Sequence, residues 1–133
     1  MKVFLDTNIL FSAILFPDSV PDKALQKALS THEAITCDYV LDELRRNVAK
    51  KFPNKTSSLD TFLLVLTMSI EVVKVSYDID DNNLEIRDPK DKPVLRASLE
   101  SKCNILITGD KDFLESSIKC PKCITAKEFL ENY

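Results

Sequence analysis

Asp6, Glu43, Asp91 and Asp110 are the residues of this chain whose type and position could do chemistry together. Two of them directly follow apolar runs: Val3-Phe4-Leu5 leads into Asp6-Thr7-Asn8, and Ile105-Leu106-Ile107 leads into Thr108-Gly109-Asp110-Lys111-Asp112. In parallel α/β sheets ligands bind beyond the carboxyl ends of the strands, so an acid in that place carries more weight than one elsewhere. If the two runs are neighbouring strands, Asp6 and Asp110 emerge side by side. Each also has an ordinary explanation, Asp6 as the N-cap of a helix starting near Thr7 and Asp110 as a turn residue after Gly109. Their joint occurrence at two strand ends favours a site.

Glu43 lies in a predicted helix whose apolar stripe is Val40, Leu41, Leu44, Val48 and Phe52. At about 100° per residue it falls roughly 60° from Val40, at the margin of that stripe, where a carboxylate can lean toward the sheet edge. Asp42 points to the opposite margin and reads as solvated. Asp91 precedes Val94 by three and Leu95 by four, so it shares the apolar face of its helix if that helix includes it. Asp88 competes for the same role, because Pro89 suits a first helical position and Pro93 leaves the start of the helix open.

Four clustered carboxylates do not all stay ionised near neutral pH without compensation: they raise one another's pKa, or a cation supplies the balance. A hard, oxygen-only donor set suits Mg²⁺ or Mn²⁺, whereas zinc normally recruits His or Cys. Such an ion orients and activates water, and stabilises charge on a phosphate undergoing in-line attack.

The elements that must carry these acids are legible in outline. Short β-rich apolar runs recur at Lys2 to Leu5, Ala34 to Cys37, Val72 to Val75, Ile105 to Thr108 and Cys123 to Thr125, with helical patterns between them. Helices are predicted from Pro21 to about Leu29, from Tyr39 to Lys51 with Asp38 as N-cap, and from Ser57 or Ser58 to about Met68. Two more are predicted from about Asp91 to Lys102 and from Ala126 to the C-terminus. Asp78 to Lys92 is polar and acidic and carries no assignment. The alternation predicts an α/β fold: a three-layer α/β/α sandwich around a parallel sheet of about five strands. With Gly109 the only glycine, no Gly/Ser-rich linker and no internal repeat, residues 1–133 read as a single domain.

Composition sets the outer limits. A chain of 133 residues that is 44% hydrophobic buries a core without staples, and a net charge of −3 excludes a strongly basic, DNA-coating protein. The opening MKVFLDTNIL is neither signal peptide nor membrane span, so a cytoplasmic protein with no membrane partner is expected. Four cysteines in such a chain are expected to stay reduced, with Cys37 and Cys103 as buried thiols. Cys120-Pro-Lys-Cys123 has the spacing of half a zinc knuckle, but His32 is the only histidine, so a complete zinc set is not expected and a redox or metal embellishment stays open. Arg45, Arg46, Lys50, Lys51 and Lys55 place five positive charges in eleven residues after Glu43, read either as a solvated helix surface or as a rim that grips phosphates.

The ordered set FLDTNIL, YVLDEL, RDPKDKPVLRASLESKCNILITGDKDF and CITAKEFL resembles the PIN-domain family over essentially the whole chain. It looks closest to the branch of toxin components of prokaryotic toxin-antitoxin pairs. The resemblance implies a Mg²⁺- or Mn²⁺-dependent ribonuclease in which Asp6, Glu43, Asp91 and Asp110 bind metal, with Asp112 as a frequent additional acid. It also implies that Asn8 and Thr108 hydrogen-bond the acids or the ion, that the protein is a homodimer, and that an antitoxin protein is a partner. The cysteine pair before the last strand departs from the family pattern.

Two rivals remain at this point. A small phosphatase of the haloacid-dehalogenase kind needs a second acid two residues after its nucleophile, where Asn8 stands and cannot act as general acid. A non-catalytic domain would use the same surface to hold RNA or a partner peptide without cutting it.

Overall fold

In the computed structural model, which describes residues 1–75 and 88–133, five short strands form one sheet. These are β1 (Lys2–Leu5), β2 (Glu33–Cys37), β3 (Glu71–Val73), β4 (Ile105–Ile107) and β5 (Lys122–Ile124). Their order is β3-β2-β1-β4-β5, and every neighbouring pair is parallel. β1 and β4 are the centre of the sheet, and Val3, Phe4, Leu5, Leu106 and Ile107 have no exposed surface. Strands covered on both faces read as unbroken apolar runs, which is why Val-Phe-Leu and Ile-Leu-Ile do not alternate.

Helices α1 (Thr7–Leu15) and α2 (Val20–Thr31) connect β1 to β2, while α3 (Asp38–Lys51), a 3-10 turn at Pro53–Lys55 and α4 (Thr56–Leu66) precede β3. A second 3-10 turn at Pro89–Asp91 runs into α5 (Lys92–Glu100), α6 (Lys111–Leu114) joins β4 to β5, and α7 (Ala126–Asn132) closes the described chain. The strand order moves one way from β1 to β3 and the other way from β4 to β5. Right-handed crossovers therefore put α1 to α4 on one face and α5 and α6 on the other. α7 packs against α2 and so returns to the first face. This is the expected three-layer α/β/α arrangement, with a contiguous core that includes Phe4, Leu25, Ile35, Leu44, Leu95, Phe113 and Phe129.

Several element starts differ from the sequence reading, each for a local reason. α3 begins at Asp38 itself, with Cys37 in the cap position. The Asp38 carboxylate still accepts the Tyr39 N–H at 2.8 Å, and it also accepts the Val75 N–H at 3.0 Å, tying the helix to the segment after β3. Neither Ser57 nor Ser58 caps α4: the turn opened by Pro53 runs straight into the helix at Thr56. α5 starts at Lys92, not Asp91, because Asp88 caps the preceding 3-10 turn by accepting the Lys90 N–H at 3.0 Å. α1 and the four-residue α6 carry no separate prediction, and positions 78–87 of the unassigned acidic stretch lie outside the described residues. No helix among the described residues is long and apolar enough to cross a membrane.

Candidate active site

The strand order reverses between β1 and β4, and such a switch point opens a crevice at the carboxyl ends of the two strands. Pairing of Leu5 with Ile107 sets the register there, and the ladder continues one residue further, with the Asp6 N–H donating to the Ile107 carbonyl at 3.1 Å. Asp6 and Thr108 thus leave the sheet side by side, and Asp110, which the sequence reading expects beside Asp6, follows two residues later as the cap of α6.

Asp6 is 5% exposed and uses its two oxygens differently. Oδ1 caps α1 by accepting the Thr7 N–H at 2.7 Å; Oδ2 accepts the Thr108 hydroxyl at 2.7 Å and the Asn8 amide at 3.4 Å. Asn8 also accepts the Gly109 N–H at 2.8 Å, and the Thr108 hydroxyl accepts the Asp110 N–H at 3.0 Å. Asp110 in turn caps α6, taking the Asp112 N–H on Oδ1 at 2.9 Å. For Asp6 the capping role and the recess position, alternatives in the sequence, coexist; Asp110, whose alternative in the sequence was a turn residue, also both caps a helix and lines the recess.

A recess of about 170 Å³ lies over this network, lined by Asp6, Asn8, Glu43, Asp91 and Asp110 among others. Glu43 arrives from α3 and Asp91 from the last position of the turn before α5, so the four acids of the sequence reading come together from four separate elements. Burial, opposed by the hydrogen bonds from Thr108 and Thr7 and reinforced by the Glu43 and Asp110 charges, pushes the Asp6 carboxyl up to about 6. Burial and then the charges of Asp110, Asp6, Asp88 and Asp112 push Asp91 up to about 7.

Asp88 and Asp112 neighbour Asp91 without lining the recess: oxygens of Asp88, Asp91 and Asp112 fall within 4.8 Å of one another. Asp88 is therefore not a substitute for Asp91 but a neighbour of it, outside the recess and engaged in capping. The half-buried outer trio is tighter, whereas the recess contains the buried Asp6 and one acid from each of four elements. We regard the recess as the stronger cation site for that reason.

The donor set can be tested against a divalent ion directly. Asp91 Oδ2 is buried and has no hydrogen-bond partner, a costly state that a cation would relieve. The lining offers carboxylate oxygens and no imidazole or thiol, which fits Mg²⁺ or Mn²⁺. Asp6, Glu43, Asp91 and Asp110 are the residues that would hold it.

Of the five basic residues between positions 45 and 55, Lys51 alone lines the recess. Arg45 pairs with Asp42 at 3.4 Å on the outer surface, and Arg46, Lys50 and Lys55 are exposed and do not line the recess. Asn47 and Lys90 also line the recess, and the sequence reading misses both. Asn47 stands one helical turn after Glu43, a spacing that would have placed it on the same face; Lys90 gives no such signal. Cys37 and Cys103 are buried, with thiols pushed up by burial to about 12 and about 11, while Cys120 is exposed and Cys123 half-buried. Neither Cys120 nor Cys123 belongs to a metal-sized group among the described residues.

Comparison with known proteins agrees with this architecture. An uncharacterized protein of Methanocaldococcus jannaschii is 29% identical over 145 residues, covering 100% of this chain and 92% of that protein. Among solved structures, VapBC2 of Rickettsia felis, bound to a DNA fragment from its promoter, matches with a TM-score of 0.68 at 20% identity, over 94% of this chain and 98% of that one. VapC20 of Mycobacterium tuberculosis, a sarcin-ricin loop cleaving toxin, matches at 0.65 and 16% identity, over 85% and 93%. VapBC-1 of nontypeable Haemophilus influenzae matches at 0.65 and 16%, over 96% and 99%. At these identities the structures share a fold with this chain. The sequence model of the PIN domain matches residues 2–112, and the chain belongs to the PIN-domain family.

Proposed function

We propose that the chain is an endoribonuclease that uses Mg²⁺ or Mn²⁺ to hydrolyse RNA phosphodiesters. The observation that carries this reading is the convergence of Asp6, Glu43, Asp91 and Asp110 on one recess, with a buried Asp91 oxygen left unpartnered. A bound divalent ion would supply an activated water and charge stabilisation at the phosphate. The protein's part is to hold the acids: Thr108 and Asn8 orient Asp6, Asp110 is fixed by its cap on α6, and the rigid strand ends keep both in place. Asp112, bonded through its N–H to Asp110, supports the site from outside the recess.

The test is cleavage of a mixed RNA pool with and without Mn²⁺, by the wild-type chain and by Asp6→Asn and Asp110→Asn variants. Metal-dependent cleavage lost in both variants is expected; activity surviving both would sink the assignment. Release of inorganic phosphate from small phosphomonoesters would favour a phosphatase instead. Asn8 weighs against that, since its side chain braces Asp6 and Gly109 and an amide is too weak an acid to protonate a leaving group. RNA binding without cleavage under any divalent ion would make the domain a binding module.

We also read the chain as the toxin of a toxin-antitoxin pair, acting in the cytoplasm as a homodimer and held by an antitoxin protein. The support is the fold shared with VapC20, a cleaving toxin, and with two VapBC structures. The exposed apolar side chains of Leu64, Val65 and Met68 along α4 and beyond it are the kind of surface a protein partner covers. A toxin is expected to arrest growth when expressed alone and to be neutralised by the product of an adjacent small reading frame; harmless expression would refute the role.

A further inference from the structure

Two ammonium groups stand at the edge of the acidic recess without pairing to it. Lys51 of α3 and Lys90 of the turn before α5 both line it, together with Asp6, Glu43, Asp91 and Asp110. No ion pair within 4.0 Å joins either lysine to a carboxylate among the described residues. Lys51 is held differently: its Nζ lies 5.6 Å from the centroid of the Phe11 ring. Phe11 itself lines the recess and packs against Phe52, with ring centroids 6.0 Å apart. A ring face attracts a cation without using any of its N–H donors, so the ammonium is positioned and still has three bonds to give.

Glu43, Asn47 and Lys51 follow one another at intervals of four on α3, and all three line the recess. They therefore form a ladder of carboxylate, amide and ammonium, about 12 Å long at 1.5 Å per residue. Ammonium groups beside a cation site repel the cation, so a site for a metal ion alone would exclude them. An anion that approaches a metal-loaded recess uses both sets, the acids through the ion and the lysines directly.

Resting on the nuclease reading of the recess, we infer that Lys51 and Lys90 each grip a backbone phosphate of the substrate strand beside the one being cut. Asn47 offers its amide between Lys51 and the acids, and Phe11 is a positioning residue that acts through Lys51. Arg46 and Lys50, exposed outside the recess, take no part.

The experiment is binding of a short single-stranded RNA with a cleavage-resistant backbone to the wild-type chain in saturating Mn²⁺, followed by fluorescence anisotropy over a range of salt. Each phosphate contact on a single strand contributes about 0.7 to the slope of log affinity against log salt. Lys51→Gln and Lys90→Gln are each expected to lower the slope by about 0.7 and the double variant by about 1.4. Lys50→Gln and Arg46→Gln are expected to leave it unchanged. Phe11→Leu should weaken binding by less than Lys51→Gln and add nothing to it, and a thermal melt of each variant reports folding separately. In cleavage assays Lys51→Gln should raise KM with little change in kcat.

A slope unchanged by both lysine variants, or lowered equally by Lys50→Gln, overturns the inference. So does a loss of thermal stability in Lys51→Gln with binding intact, which would make the lysine a damper of acid repulsion. RNA binding with the expected slopes but no cleavage under Mg²⁺ or Mn²⁺ would refute the nuclease reading and leave the phosphate grip standing. Absence of RNA binding would refute the grip whatever the cleavage result.

Discussion

Thr108 donates its hydroxyl proton to Asp6 Oδ2 at 2.7 Å, joining two strand ends 102 positions apart in sequence. The Thr108 hydroxyl oxygen in turn accepts the Asp110 N–H at 3.0 Å, so one buried hydroxyl holds both strand-end aspartates. Replacing it by an apolar group of the same shape removes a bond to the charged form of Asp6 and strands the amide of Asp110. Thr108→Val is therefore expected to cost about 1–3 kcal/mol, read from a shift in the urea midpoint. It should also move the Asp6 carboxyl above its value of about 6, because hydrogen bonding favours the ionised form. Metal binding followed by calorimetry should then need a higher pH, while Thr108→Ser should behave as wild type.

The raised acids make a second, opposite-looking prediction for the metal-free chain. Asp6 and Asp91 sit at about 6 and about 7, against 3.8 for an unperturbed carboxyl. Between those limits the folded chain holds protons that the unfolded chain has released. These groups thus favour folding fully at low pH, and the benefit is lost as pH rises through about 6 and about 7. The melting temperature without metal should fall between pH 5 and pH 8, and the fall should flatten in an Asp6→Asn/Asp91→Asn variant. Saturating Mn²⁺ at pH 8 should restore it, by about 2.7 kcal/mol at a hundredfold excess over Kd. A metal-free protein that gains stability over this range would contradict the burial assigned to the two acids.

The apolar residues of α4 divide sharply. Leu63 is 4% exposed, whereas Leu64 and, just past the helix, Met68 are 71% and 85% exposed. Leu63→Ala is expected to cost about 2–5 kcal/mol through lost burial and a residual cavity. The pair Leu64→Gln and Met68→Gln should change the urea midpoint of dilute protein by no more than about 0.5 kcal/mol. A large loss in the second case would mean that these side chains are covered in solution by a second copy of the chain.

What the sequence could and could not disclose follows from the range of the forces involved. Asp6 and Asp110 were readable because an acid after a buried strand is local information, and so was the angle of Glu43 on a periodic helix. Asp88 and Asp91 were not separable, because Pro89 and Pro93 permit more than one helix start and only the 3-10 turn decides between them. The place of Lys51 against Phe11 depends on packing between α1 and α3, forty positions apart, and Lys90 owes its place to a turn with no periodicity. The five-stranded order was open as well: alternation predicts parallel neighbours but not that β4 lies beside β1.

The division of labour between Asp88 and Asp91 gives the sharpest test of the site. Both belong to one tight acidic trio with Asp112, yet only Asp91 reaches the recess, where its Oδ2 is buried without a partner. Asp88 spends an oxygen on the Lys90 N–H, and asparagine caps a helical turn as well as aspartate does. Asp88→Asn should accordingly keep the turn, keep Asp91 in place and lower kcat/KM by about tenfold, the low end for an outer partner of a metal ligand. Asp91→Asn should lower it by at least about a hundredfold, since it removes a carboxylate that would hold the ion. Metal titration separates the causes: affinity should collapse in Asp91→Asn and change little in Asp88→Asn. Equal losses in both variants would move the cation from the recess to the outer trio, and would remove the assignment of Glu43, which does not belong to that trio, as a ligand.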